Sequence, residues 1–558
     1  MSSKRAEART TNQNRDVAKL SETAVVILGL AIFLALCLYQ IELPGLHYDE
    51  AKEAGVPAMQ LLSGEPVEAF RGAGLHLFSR LFPLMVQDYI GAISVYLTLP
   101  FLLCCRNVPT LRLMPVTFAA LTLLFTYLFA RDLFNRRTAA ITYLLLALNP
   151  SFVFWSRQGV FVTSITTTLA LASLVCLLRW YRGGRSRHLY LGALALGLGL
   201  YAKLLFLWFI GALAATFILL DARRLLTALG QRSLAPFTFQ INPKQMALAF
   251  LCFISGLCPL IVYNLQTGGT LSTVASNLRF SYYGVNNLAF LPNLIKRLNQ
   301  FNIVMEGGHF WYLGGTFVNS LWPYLFYSAL AAMVLVVLLR AREEGRRALF
   351  PFLMIAFIIV GSCFTVSDLW FTHYAILTPL PPLALASALD LLARRGGLGR
   401  AGLIVALAAA VILGLADLRV DWLYHRALSR SGGLSYHSDA SYELADYLQE
   451  HDLVAPLAMD WGIAAPVQFL TQGQVRPIEV FGYNWEPDEA FGQRLAGFLV
   501  SSDSVYIFHS PEETKYDRRD AFNELVARAG KVSREEKIIS DRSGKPIFLL
   551  IRATAQTR

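Results

Sequence analysis

Long apolar runs recur along this chain, separated by polar stretches that carry most of its charge. The first, residues 24–41, has no charged side chain and at helical rise is just long enough to cross a hydrocarbon core. Further runs lie at 113–130, 139–155, 160–178, 189–202, 204–220, 246–263, 320–339, 349–366, 371–392 and 401–416. One more, 89–105, is decided by orientation. If it lies on the outer face without crossing, the cytoplasmic segments carry Lys4, Arg5, Arg9, Arg15 and Lys19; then Arg131, Arg136 and Arg137; then Arg179, Arg182, Arg185 and Arg187. They continue with Arg223, Arg224, Arg232 and Lys244, with Arg340, Arg342, Arg346 and Arg347, and with Arg394, Arg395 and Arg400. If it crossed, all of these except the N-terminal group would fall outside, against the cytoplasmic bias of Lys and Arg. The pattern predicts an α-helical polytopic membrane protein with eleven spans, an outer juxtamembrane helix and long outer loops at 42–112 and 266–319.

After residue 416 the chain turns polar. Helical spacing at 442–450, 464–470, 490–499 and 518–529 alternates with extended segments at 455–459, 475–480, 504–508, 532–539 and 546–551. That alternation predicts a small extracytoplasmic α/β domain over 417–558, following a cytoplasmic segment 1–23 and a membrane domain 24–416.

Composition supports a multi-pass protein: of 558 residues 55% are hydrophobic and only 16% charged, and mean hydropathy is +0.47. The net charge of +11 is dispersed in short clusters between apolar runs, which is a topology signal and argues against a nucleic-acid partner. All seven cysteines lie in or beside apolar runs, so neither a disulfide framework nor a zinc spacing is readable. The first run lacks a small-residue cleavage pattern after it and reads as a retained span.

Asp49 and Glu50 stand side by side in His47-Tyr48-Asp49-Glu50-Ala51, a few residues past that span. Asp49 and Glu53 would share a helix face, with Glu50 turned aside, and Pro57 would shorten or kink the helix. A carboxylate at a low-dielectric boundary can act as a general base on a hydroxyl. The alternative is a solvated helix N-terminus, where acids are favoured by the dipole. A lone Asp-Glu pair is not a metal site, although a divalent cation is compatible with it.

An ordered series of fragments accompanies the pair. After Asp49-Glu50-Ala51 come Leu61-Leu62-Ser63-Gly64, Arg112-Leu113-Met114-Pro115, Ala130-Arg131-Asp132-Leu133-Phe134 and Leu148-Asn149-Pro150 with Ser156-Arg157-Gln158. Gly197-Leu198-Gly199-Leu200-Tyr201-Ala202-Lys203 and His373-Tyr374 with Pro379-Leu380-Pro381-Pro382 complete it. In order and spacing the series resembles the polyprenyl-phosphate-dependent glycosyltransferases of the GT-C fold. The nearest branch holds the protein O-mannosyltransferases and lipid A aminoarabinose transferases. The resemblance covers residues 42–392.

It implies an enzyme of the inner (plasma) membrane, with its N-terminus cytoplasmic and its C-terminal domain outside. Its reaction would be inverting sugar transfer on the outer face from a polyprenyl monophosphate sugar to a protein, lipid or polysaccharide acceptor. It implies Asp49 as the base, with Glu50 alongside. Phosphate departs without needing an acid, so one carboxylate suffices where hydrolases need two. Arg157 and Lys203, at outer span ends, would hold the donor phosphate, although long basic side chains there also simply snorkel to water. His373 and Tyr374 match substrate-pocket positions, and His76 and Arg80 could reach phosphate or acceptor. Asp88, in a stretch that departs from the family pattern, is a second active-site acid, the partner of a nearby Arg, or a plain interfacial residue. The 306–312 segment, Glu-Gly-Gly-His-Phe-Trp-Tyr, suits a sugar platform, a lid or an interfacial belt. Two other readings remain: a flippase of lipid-linked sugars, and an inactive relative binding an envelope polymer. The charges gather at span ends and no internal repeat is visible, which disfavours the first.

Overall fold

The computed structural model describes residues 22–231, 242–281, 283–340, 343–364, 370–395, 399–501 and 504–555. The N-terminal basic residues, Arg232, Tyr282 and Arg342 lie outside the described residues. Among the described residues each apolar run assigned to a span is helical. Seven helices there are individually long and apolar enough to cross a membrane, from Val108–Leu133 to the last, Arg400–Ser431. The bent pair Arg136–Ala147 and Pro150–Ser156, which turns by 61°, is together long and apolar enough to make an eighth. The break has a local cause: Asn149 caps the second piece by accepting the Phe152 N–H at 3.0 Å, and Pro150 starts it. Glu22–Leu38, Ser186–Ala202 and Phe206–Leu220 are the shorter members of the bundle. The chain is a multi-pass membrane protein.

The 89–105 run divides into a strand residue pair and the helix Ile93–Leu102, ten residues with Pro100 inside. At about 15 Å it is half the length needed to cross. It packs beside Val56–Ser63 and Val108–Leu133 as a juxtamembrane element.

Two short hairpins fill the 42–112 loop: β1 (Gly74–Leu77) with β2 (Arg80–Pro83), and β3 (Met85–Gln87) with β4 (Ile90–Gly91). The C-terminal domain holds β5 (Leu457–Ala458), β6 (Ile478–Glu479), β7 (Val505–His509), β8 (Lys531–Ser540) and β9 (Pro546–Ala555), in the order β6-β5-β7-β9-β8. The β6-β5-β7 part is parallel and β9 and β8 are antiparallel additions. Apolar side chains on both faces of the central strand β7 pack under the covering helices, as a parallel sheet requires.

Two features depart from the expected boundaries. The last helix continues past residue 416 to Ser431. Asp417, Asp421, Tyr424 and His425 in this extension are buried: Asp417 accepts from Asn319 Nδ2 at 2.8 Å and Trp322 Nε1 at 2.9 Å, and the Tyr424 hydroxyl donates to Gly307 O at 2.6 Å. The C-terminal domain is also docked. Ala465 and Phe469 share one hydrophobic cluster with Leu46, Tyr48, Ala51 and Ala54 of the 42–112 loop.

Candidate functional site

The acidic segment begins with a reciprocal cap. The His47 ring accepts the Asp49 N–H at 3.2 Å, and the Glu50 carboxylate accepts the His47 N–H at 3.4 Å. A single turn, Tyr48–Glu50, passes into a π-helical turn, Ala51–Gly55, and then into Val56–Ser63 with Pro57 in its first turn. Pro57 thus sits where its missing N–H costs no helical hydrogen bond, and the wide turn before it rotates the acids relative to one another.

The two neighbouring carboxylates have unlike surroundings. Glu50 is fully buried and bidentate with the equally buried Arg112: Nε donates to Oε2 and Nη2 to Oε1, both at 2.9 Å. Arg112 also donates to the carbonyls of Ile41 (2.9 Å), Pro44 (2.8 Å) and Gly45 (3.3 Å), so it ties the end of the first span to the acidic turn. Asp49 is 8% exposed, and among the described residues no hydrogen-bond donor is placed on its carboxylate. Burial raises its pKa; His47, Lys515 and Lys203, in that order, oppose the rise. His47 Nδ1 lies 3.5 Å from Asp49 Oδ2, an ion pair only when the ring is protonated. Burial lowers the His47 pKa, and because Nδ1 accepts an amide proton the neutral ring carries its own proton on Nε2.

Lys203 caps the helix Ser186–Ala202 and bridges in antiparallel fashion to Ile90, which locks it against the 42–112 loop. Burial brings its ammonium down to about 8, against the fields of Glu53 and Asp49. Glu53 is itself buried and accepts from Gln87 Nε2 at 2.9 Å. A narrow cavity is lined by Lys203, His373, Thr163, Thr166 and Trp208, so the structure brings Lys203 and His373 together. Tyr374 points elsewhere, donating to Gln300 Oε1 at 3.0 Å.

Other expected site residues take structural places. Arg157 is fully buried; it donates to the carbonyls of Gln40 and, at 3.2 Å, Leu43, and lies 3.3 Å from His425 Nδ1. Asp88 is saturated: Arg71 binds it with two bonds of 2.8 and 2.6 Å, Tyr263 at 2.5 Å and Thr273 at 2.7 Å. Burial pushes its pKa up, but those donors more than reverse the effect and leave it lowered. It is the partner of an Arg, one of the three roles the sequence left open. His76 and Arg80 are exposed on the β1-β2 hairpin, paired one register step apart with Leu81 and Leu77. In the 306–312 segment His309 and Phe310 are core residues, His309 stacking on Trp155 at 4.5 Å, whereas Tyr312 turns toward the site.

The C-terminal domain supplies residues that the sequence did not single out. The carboxyl ends of all three parallel strands face the acidic turn, the edge where open α/β sheets present ligand-binding groups. After β6, Glu479 accepts from the Tyr48 hydroxyl at 2.7 Å. After β5, Trp461 meets Tyr48 at 4.8 Å and His47 at 5.6 Å. Beyond β7, Lys515 places its ammonium 3.8 Å from the centre of the Trp461 ring, and its field reaches Asp49. Tyr312, His437 and His47 stack in a column, with centroids 3.9 and 4.3 Å apart. Among the described residues no three His, Cys, Asp or Glu side chains gather as a metal site would require.

Comparison with known structures fixes the architecture. ArnT from Cupriavidus metallidurans, in its apo state, matches 95% of this chain and 98% of its own at 14% identity, with a TM-score of 0.60. The same protein bound to undecaprenyl phosphate gives 0.61 at 13% identity over the same shares. The chain has the GT-C fold. The archaeal oligosaccharyltransferase AglB from Archaeoglobus fulgidus, in complex with an inhibitory peptide and a dolichol-phosphate, is similar over 97% of this chain and 75% of its own, at 13% identity and a TM-score of 0.51. The family model for dolichyl-phosphate-mannose-protein mannosyltransferases matches residues 93–235, the GT-C segment from the juxtamembrane helix through the sixth span. No curated protein matches the sequence.

Proposed function

We propose that this GT-C protein is an inverting glycosyltransferase. It moves a sugar from a polyprenyl monophosphate donor, whose tail lies in the bilayer, to an acceptor hydroxyl at the outer face of the plasma membrane. The observation that carries the reading is the contrast between two adjacent carboxylates. Glu50 has every oxygen engaged by Arg112 and backbone N–H groups, whereas Asp49 is buried, has no donor on its carboxylate among the described residues, and has a raised pKa. Environments that drive two acids apart mark out their roles. Asp49 is the base that takes the acceptor proton; Glu50 is a positioning residue that fixes the turn.

The bond balance is simple. The acceptor oxygen attacks the anomeric carbon as its proton passes to Asp49, and the sugar–phosphate bond breaks with its electron pair on the phosphate. Lys203, a compact cation beside the same carboxylate, receives the developing phosphate charge. Arg157 serves this site indirectly, by holding the chain between the first span and the acidic turn. The bound ligands of ArnT and AglB, undecaprenyl phosphate and dolichol-phosphate, support the donor class.

Replacing Asp49 by Asn tests this directly. The amide keeps the shape and cannot accept the proton, so turnover of a polyprenyl phosphate sugar by the purified protein is expected to be lost while donor binding persists. Near-native turnover would remove Asp49 from the mechanism.

A further inference from the structure

The end of the bundle opposite the acidic turn carries a second cavity, of about 800 Å³. It is walled by the last turns of Val108–Leu133 and Thr163–Gly183 and the first turns of Arg136–Ala147 and Ser186–Ala202. Arg131 in its wall lies on the same helix as Arg112, and the helical rise between them is about 28 Å, one hydrocarbon thickness. The cavity therefore sits at headgroup depth on the other membrane surface.

Five arginines line it: Arg131, Arg136, Arg179, Arg182 and Arg185. Two carboxylates oppose them. Asp132 accepts from Arg179 Nε at 2.7 Å, and Glu22 lies 3.6 Å from Arg131 and 3.3 Å from Arg136. Arg182 donates to the carbonyls of Asp132 and Leu133, the unsatisfied end of the Val108–Leu133 helix. Arg185 has no carboxylate partner among the described residues, and the buried His188 Nδ1 in the same wall has no hydrogen-bond partner there. Leu178 and Phe134 form an apolar side. Snorkelling arginines spread outward into water one by one. These converge from four helix ends on one concavity with an excess of three positive charges.

We propose that this cavity binds the phosphate headgroup of an anionic phospholipid, with an acyl chain against Leu178 and Phe134. The chemistry recognised is a phosphodiester. A membrane lipid is favoured over free phosphate by the headgroup depth, the apolar wall and a volume far beyond that of one phosphate ion. Basic pockets at this level between transmembrane helices suit such headgroups. The assignment is independent of the reaction at the other end of the bundle.

Native mass spectrometry of the full-length protein in detergent, titrated with phosphatidylglycerol or phosphatidylcholine, tests it. Phosphatidylglycerol is expected to bind preferentially and to resist an excess of inorganic phosphate. Arg136→Gln and Arg185→Gln, both at exposed side chains, should each weaken that binding about fivefold, the equivalent of about 1 kcal/mol per arginine near an anionic surface. Arg528→Gln, on the far face of the C-terminal domain, should leave it unchanged. Equal binding of phosphatidylcholine, displacement by inorganic phosphate, or unaltered affinity in both cavity variants with native thermal unfolding would each overturn the proposal.

Discussion

Glu50→Gln should damage this protein through its architecture, and the size of the effect follows from the contacts. Glu50 and Arg112 have no exposed side-chain surface, and their two 2.9 Å bonds are the sole charge neutralisation either receives within salt-bridge distance among the described residues. Removing one partner of a buried pair typically costs about 3–5 kcal/mol, because the other charge stays buried without compensation. The amide retains one acceptor for Arg112, and three carbonyls still hold the guanidinium, so the lower part of that range, about 3 kcal/mol, is expected. If the pair is broken on the way to unfolding, this is roughly a hundredfold faster inactivation at fixed temperature.

The assay is the inactivation half-life of purified protein in detergent, read alongside donor turnover before inactivation begins. Arg112→Met should be at least as harmful, while the double variant Glu50→Gln/Arg112→Met should be less harmful than the sum of the singles, since no orphan charge remains. Residual turnover should also partly return in the double variant. Strictly additive losses, or a Glu50→Gln protein of native lifetime and no turnover, would refute the positioning role and return Glu50 to the chemistry.

The activity should follow a bell-shaped pH profile: its acid limb, set by Asp49, lies above the usual carboxylate range because only the ionised form accepts a proton. Its alkaline limb, set by Lys203 near 8, falls because deprotonation removes the phosphate-binding charge; a flat profile from pH 5 to about 9 would contradict both assignments. Lys515→Gln removes a cation that opposes the raised pKa of Asp49, so the acid limb should move to higher pH, whereas a purely structural role predicts an unmoved limb and a lower plateau. For topology, single cysteines introduced into a protein without native thiols should react with an impermeant reagent from outside at position 528 and not at position 186; the reverse pattern would invert the orientation.

The membrane helices were legible because lipid forces every backbone group into an internal hydrogen bond, so a long apolar run has little choice but helix. The strands and helices of the C-terminal domain were legible for a similar reason, their periodicities being unbroken. The last helix shows the limit: hydropathy stops at Asp417, yet the helix persists because Asn319 and Trp322 satisfy that acid from another element. The acidic pair was visible, but not the unlike surroundings of its two carboxylates, which depend on an arginine 62 residues away. Lys515, Trp461 and His437 carried no local signal at all. Their relevance comes from docking across 390 residues of chain or more, and side chains that meet only in three dimensions leave no spacing to read. Arg157 donates to the carbonyls of Gln40 and Leu43, and position along a span does not reveal whether a side chain faces a ligand or a ring of carbonyls.

The helix Gly399–Ser431 has 33 residues, about 50 Å of rise, so some 20 Å of it stands beyond the hydrocarbon. It acts as a keyed shaft between the bundle and the sheet. Each residue added to the shaft turns whatever it carries by 100° while lifting it only about 1.5 Å, so the two ends are phased as much as they are spaced. A one-residue insertion above Tyr424 would swing Trp461 and Lys515 off the acidic turn with almost no change in height. Seven residues would nearly restore the angle but raise the sheet about 10 Å, clear of Tyr48. Evolution of this linker is therefore constrained in angle before it is constrained in length, and homologous proteins that keep the docked arrangement can vary it only by changing the docking surfaces as well.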